Sequence, residues 1–300
     1  MFNRTRTRHS SSPRRPRLAM ERLDVKDLRF ADQLPEGRIV ELPGRGAAFI
    51  RIAAGPAGAP TVLLLHGLMA TADLNWSLAV PALARSFNVV APDLRGHGRG
   101  LATRQFTGEE CAEDVAAIVR TLELGRVIVV GYSLGGLVAQ IFVRRYPEMV
   151  AGIVLCATAS RFDVPTANGI VRLVERAARR FPERIRRAAI LAMLAPRSAN
   201  CPQGRWLMDE VRRHDTMALL DAIAEAAKFN SGSWLGDSTC ASAVIVTQDD
   251  MVVSAEAQRE LARVLGRPSV YEIPGDHFVC IKRPREFNEA LVAACAGVQG

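Results

Sequence analysis

The sequence predicts an α/β fold: a mostly parallel sheet with helices on both faces, interrupted once by a helical insertion. Three observations predict it. Short apolar runs, Val62-Leu63-Leu64-Leu65, Val89-Val90-Ala91, Val127 to Val130, Gly152 to Leu155 and Ala243 to Val246, alternate with segments of helical period. Strands separated by helices pair in parallel, because each crossover must travel back over a face of the sheet. The run Val127-Ile128-Val129-Val130 leads straight into Gly131-Tyr132-Ser133-Leu134-Gly135, and then into a segment with Leu137, Val138, Ile141 and Phe142 on one side. That succession reads as strand, tight turn and helix. Finally, no strand pattern occurs between Arg161 and about Leu235.

Residues 1–20 read as a disordered basic tail. Arg4, Arg6, Arg8, Arg14, Arg15 and Arg17 precede the first acidic residue, Glu21, among serines and prolines with little apolar surface to bury. The tail holds six of the eight net positive charges of the 300-residue chain, so the rest is near balance and no nucleic-acid binding is expected of the core. Three readings of the tail compete: an arm for anionic partners, an organelle-targeting segment, and translated sequence upstream of a start at Met20, the last being favoured. Arg14-Arg15 lacks the apolar stretch that a twin-arginine signal needs. The longest apolar stretch, Val127 to Val143, contains Gly131, Ser133 and Gln140, so burial explains it better than a bilayer. A cytoplasmic protein with no transmembrane segment is expected. Oligomeric state is not legible.

After the tail, Arg38 to Leu42 and Ala47 to Ile52 alternate around Gly44 and Gly46 as an opening hairpin. Thr107 and Glu110 have capping-box spacing for a helix running to about Leu122. Ser269 to Ile273 is a last strand, and Glu256 to Val264 and Glu286 to Cys295 are late helices. The core is therefore expected over residues 21–160 and 236–300, with residues 161–235 as the insertion. Within it, Ile170 to Ala178, Ile185 to Leu194, Trp206 to Arg213 and Met217 to Phe229 have helical period. Its place between the strand after the elbow helix and the last two strands suits a lid over a site; a plain helical subdomain packed on the sheet is the other reading. Six scattered cysteines show no metal-binding spacing, so reduced thiols and no metal are expected, with Cys280 as a small buried apolar group.

Ser133 sits where the strand turns into the helix. Such a corner needs small residues close by, which Gly131, Gly135 and Gly136 supply, and the helix start aims backbone N–H groups at a developing anion. The plain alternative is a helix N-cap serine. A nucleophilic serine needs a base and an acid that orients the base. Of five histidines, His9 is in the tail, His66 and His97 follow early strands, His214 lies in the insertion and His277 follows the last strand. Catalytic groups of an α/β sheet gather at the carboxyl ends of its strands, which selects His277 as base. His66 and His97 read as loop-fixing. The acid belongs after the preceding strand, where Asp249 and Asp250 stand together; one should face the site and the other a turn or solvent. Asp276 is a third candidate, poorly placed beside His277. Two N–H donors for an oxyanion are expected from Leu134 and, beside Gly67, Leu68, with Met69 as second choice.

His66-Gly67-Leu68, Asp93-Leu94-Arg95-Gly96-His97-Gly98, Gly131 to Gly136, Asp250-Met251-Val252-Val253 and His277-Phe278 with Arg283 to Phe287 resemble α/β-hydrolase fold enzymes, in that family's order, over roughly residues 36 to 296. The resemblance implies the α/β-hydrolase fold with a helical lid, no cofactor, and cleavage of a carboxylic ester or related acyl bond; the Ala, Leu, Ile and Met of the insertion suggest a small, largely apolar substrate. It favours Asp250 over Asp249, since the family's acid precedes a short apolar pair. Ser254 stands where a proline is frequent, Asp276 where a glycine is, and Gly100 where a serine is. Esterases, enol-lactonases, perhydrolases and carbon–carbon bond hydrolases are the branches it is most similar to; Ser133 in place of an aspartate sets aside epoxide hydrolases and haloalkane dehalogenases. A triad-bearing small-molecule receptor or signalling protein is the alternative from another class.

Overall fold

The computed structural model describes residues 34–103, 105–162, 177–198 and 202–299. The basic tail, and most of the predicted helix from Ile170 to Ala178, lie outside the described residues. Eight strands form one sheet: β1 (Gly37–Leu42), β2 (Gly46–Ala53), β3 (Thr61–Leu65), β4 (Asn88–Pro92), β5 (Val127–Tyr132), β6 (Val150–Cys156), β7 (Ala241–Thr247) and β8 (Ser269–Ile273). Their spatial order is β1-β2-β4-β3-β5-β6-β7-β8. The hairpin β1–β2 and the β2–β4 pair are antiparallel, and every other neighbouring pair is parallel.

The described helices are α1 (Ala72–Trp76), α2 (Val80–Leu83), α3 (Gly108–Thr121), α4 (Leu134–Arg145), α5 (Glu183–Ser198), α6 (Pro202–Val211), α7 (Thr216–Lys228), α8 (Ala255–Leu265), α9 (Val279–Lys282) and α10 (Pro284–Gly297). The Thr107 hydroxyl caps α3 by accepting from Glu110 N–H. Glu110 does not complete the box with its side chain, because Arg45 takes that carboxylate at 2.7 Å. Helix α4 starts at Leu134, three residues before the apolar periodicity begins at Leu137, since two glycines at its start give the helical pattern nothing to show.

The central strands read as unbroken apolar runs because both faces of the sheet are covered. Alternate residues serve two cores. Leu63, Leu65, Val127, Val129, Ile153 and Leu155 pack with α3 and α4 on one face, while Val62, Leu64, Ile128, Val130, Val154 and Cys156 meet Trp76, Phe87, Phe287 and Leu291 on the other. Each fully buried Leu or Phe contributes about 2 kcal/mol of transfer free energy. The direction of winding changes at β3: the chain passes from β3 to β4 on one side and then to β5 on the other. At such a switch point the loops after the two strands diverge and leave a crevice beyond their carboxyl ends. Here those loops are the segment after Leu65 and the turn at Ser133.

The described part of the insertion is tied to itself and to the core. Arg179 pairs with Asp221 and Arg186 Nε donates to Thr216 Oγ1, joining the start of the insertion to α7. Asp221 Oδ2 also accepts from Phe106 N–H in the core. No described helix is long and apolar enough to cross a membrane.

Candidate active site

Ser133 occupies a left-handed conformation, φ 51° and ψ −115°, at the junction of β5 and α4. A non-glycine residue there costs on the order of 1–3 kcal/mol and persists only where its surroundings over-determine it. Three bonds do so. Ser133 N–H donates to Cys156 O at 2.9 Å, and its own carbonyl accepts from Gly136 N–H at 2.9 Å and Thr158 Oγ1 at 2.8 Å. The glycines are required by contact: a Cβ on Gly131 would lie 2.4 Å from Gly135 O, and one on Gly135 would lie 2.1 Å from Leu65 O. Ser133 stands in the N-cap position, yet its hydroxyl makes no cap hydrogen bond.

That hydroxyl instead lies 3.0 Å from His277 Nε2. His277 Nδ1 lies 2.7 Å from Asp250 Oδ2. A carboxylate only accepts, so the ring proton is on Nδ1, leaving Nε2 as the acceptor for the serine O–H. Asp250 is buried and fully bonded: Oδ1 accepts from Val252 and Val253 N–H at 2.8 Å each, and Oδ2 accepts from Thr247 Oγ1 at 2.7 Å. Burial pushes the Asp250 carboxyl up, but the His277 bond and charge, with the Val253 and Thr247 donors, outweigh it and hold the group below its ordinary range.

The other acid candidates lie elsewhere. Asp249 points to the turn after β8, where its carboxylate accepts from Gly275 N–H at 3.1 Å. Asp276 accepts from Phe278 N–H at 2.9 Å and pairs with Lys282. His66 does not reach the serine: Nδ1 donates to Gly67 O at 2.8 Å and Nε2 accepts from Leu94 N–H at 2.9 Å, and burial pushes its pKa down to about 3. His97 Nδ1 lies 3.1 Å from Arg95 O. Gly67 approaches the serine, with a Cβ built on it 3.4 Å from Ser133 Cβ. Among the described residues, the N–H groups of Leu68 and Leu134 donate to no other group. Cys280 is buried, and Asn75 Nδ2 lies 3.8 Å from its sulfur. No group of His, Cys, Asp and Glu among the described residues could hold a metal ion.

Several supporting residues escaped the sequence reading. Tyr132 Oη donates to His277 O at 2.7 Å, Asn75 Oδ1 accepts from Gly67 N–H at 2.9 Å, and Gln258 Nε2 donates to Thr247 Oγ1 and Val253 O at 2.7 Å each. Only Tyr132 sits inside a recognised motif; an isolated polar residue in a helix or loop gives no sign that it will be buried beside a site.

Serine, aspartate and histidine on the loops after β5, β7 and β8, beside a β3/β5 switch point, define a class. A family model described as alpha/beta hydrolase fold matches residues 60–198, and the chain has the α/β-hydrolase fold. A pimeloyl-[acyl-carrier protein] methyl ester esterase of Sodalis glossinidius is 43% identical over 101 residues, 34% of this chain and 37% of that relative. The chain spans about a third of the length of the first curated relatives it matches. A 2-(acetamidomethylene)succinate hydrolase of Mesorhizobium japonicum is 27% identical over 234 residues, 73% of this chain and 82% of the relative. Among solved structures, an enol-lactonase from Burkholderia xenovorans superposes with a TM-score of 0.73 at 22% identity, covering 86% of this chain and all of the other.

Proposed function

We propose that the protein is a cofactor-independent serine hydrolase that cleaves a carboxylic ester, or a related acyl bond, of a small and largely apolar substrate through an acyl-enzyme. The observation that carries this is the unbroken hydrogen-bonded line Asp250–His277–Ser133, at 2.7 and 3.0 Å. Ser133 Oγ attacks the carbonyl carbon as His277 Nε2 takes its proton, and Asp250 orients the ring and stabilises the imidazolium. The oxyanion receives the Leu68 and Leu134 N–H groups. His277 then protonates the departing alkoxide, leaving an acyl-serine. A water, deprotonated by the same nitrogen, attacks it, and collapse returns the proton to Ser133 and frees the acid.

The fold relationship and the names of the relatives support an acyl-bond substrate: a methyl ester esterase, a hydrolase of an acetamidomethylene acid and an enol-lactonase surround the chain. The 161–235 insertion serves in this reading as a lid whose Ala, Leu, Ile and Met residues give the pocket its apolar character. A cytoplasmic location is part of the same proposal, supported by free Cys111, Cys156, Cys240, Cys280 and Cys295. The test is turnover of a short p-nitrophenyl ester and labelling by a fluorophosphonate, with Ser133→Ala expected to abolish both; activity unchanged in that variant overturns the assignment. A screen across acyl chain length, lactones and vinylogous diketones, with Ser133→Ala as blank, separates esterase, lactonase and carbon–carbon hydrolase.

A further inference from the structure

The turn between α6 and α7 carries a buried histidine that the chemistry above does not use. His214 is 1% exposed. Its Nε2 lies 3.1 Å from Met69 O, and its Nδ1 lies 2.8 Å from Gly98 N. A carbonyl only accepts and a backbone N–H only donates, so both contacts demand one neutral tautomer, protonated on Nε2. The next residue, Asp215, donates its N–H to Gly96 O at 2.9 Å and caps α7 through Met217 N–H at 2.8 Å. One turn of the insertion therefore holds two core loops, the one after β3 and the one after β4.

Met69 is where that anchoring has a chemical consequence. Its φ is 57°, left-handed for a residue that is not glycine, inside a turn closed by Ala70 N–H to Gly67 O at 3.2 Å. Leu68 lies within the same turn. Upstream, the turn is fixed by Asn75 on Gly67 N–H and by His66 on Gly67 O; downstream, His214 is the side chain bonded to the Met69 carbonyl. Released at that end, Met69 can leave the left-handed region and carry the Leu68 amide with it.

Resting on the reading of Ser133 as nucleophile, we infer that His214 is a positioning residue through which the insertion holds the Leu68 N–H in line for the oxyanion. Two conservative variants isolate the bond. In His214→Gln an amide nitrogen reaches the place of Nε2 and keeps the donor to Met69 O. His214→Asn keeps only an acceptor at the place of Nδ1 for Gly98 N–H.

The experiment measures kcat and KM for a p-nitrophenyl ester, the affinity of a trifluoromethyl ketone, and amide exchange over residues 66–70, in wild type and both variants. Displacing one oxyanion donor costs on the order of 10–100-fold. His214→Asn should lose about that factor in kcat and in ketone affinity with KM within about threefold, while His214→Gln stays within about threefold of wild type in all. Amide exchange of the 66–70 segment should quicken in His214→Asn and not in His214→Gln. Equal kcat in the two variants, or equal exchange, overturns the inference. Exchange needs no turnover, so a wild type without Ser133-dependent activity defeats the hydrolase reading while the exchange contrast still decides the role of His214.

Discussion

Asp249 and Asp250 are neighbours of identical chemistry, and only their surroundings separate them. Asp250 is buried, bonded to His277, Thr247 and two backbone N–H groups, whereas Asp249 is exposed and holds a turn through Gly275. Asp250→Asn should lower kcat on the order of 10³–10⁴-fold, because the amide favours the wrong imidazole tautomer, while Asp249→Asn stays within about threefold. Steady-state kinetics on one ester measures both; the reverse ranking moves the acid by one residue. Tyr132→Phe removes the donor to His277 O. The expected outcome is a loss of about 1 kcal/mol in stability by urea denaturation, with a several-fold fall in kcat as the His277 loop loosens. The residues alone leave Asp249 and Asp250 open, and only the family resemblance, through the apolar pair after Asp250, favours Asp250; the roles of Tyr132, Asn75 and Gln258 depend on chain segments far away in sequence.

The strand–turn–helix element at Ser133 is the best-determined part of the molecule, since local and tertiary demands agree there. Gly131 and Gly135 fit only without side chains, and the strained serine is held by bonds from β6 and the loop beyond it. Gly135→Ala puts a methyl group against the Leu65 backbone, which cannot give as a side-chain tip can. Overpacking of this kind costs about 3 kcal/mol or more, to be read from the midpoint of urea unfolding, and activity should fall with it as Ser133 is displaced. A variant as stable and active as the parent would contradict the contact. Strand positions were legible as apolar runs to within a residue or two. The start of α4 was not, because its first turn is Leu134-Gly135-Gly136 and amphipathic period begins only after it.

At the scale of the whole molecule, three imidazoles from distant segments meet. His97 lies 5.3 Å from both His66 and His214, ring centre to ring centre, and burial pushes all three pKa values down to about 3 from an ordinary 6.5. Between those values the unfolded chain binds three protons that the folded chain refuses, so stability is full above about pH 6.5 and falls as the pH drops. Asp93 works the other way: burial raises it to about 6, so the folded chain takes up its proton before the unfolded chain does. Near pH 5 unfolding should therefore take up about two protons, measured from the slope of unfolding free energy against pH. A flat profile from pH 7 to 4 would show that the three rings are not buried together.

Length, charge and apolar period by themselves point to an α/β core, an insertion without strand pattern, a basic tail and a serine between strand and helix, because each is written in contiguous residues. The order Ser133, Asp250, His277 was also legible, since the carboxyl ends of strands are where a parallel sheet gathers its loops. Only the tertiary structure decided how those loops meet: that β5 lies beside β3 and not beside β4, that Asp250 and not Asp249 turns toward His277, and that His214 spans from the insertion to Met69. Sequence periodicity specifies which face of an element is buried. It does not specify which other element covers that face, and hydrogen-bond partners 27 to 145 residues apart follow from that choice.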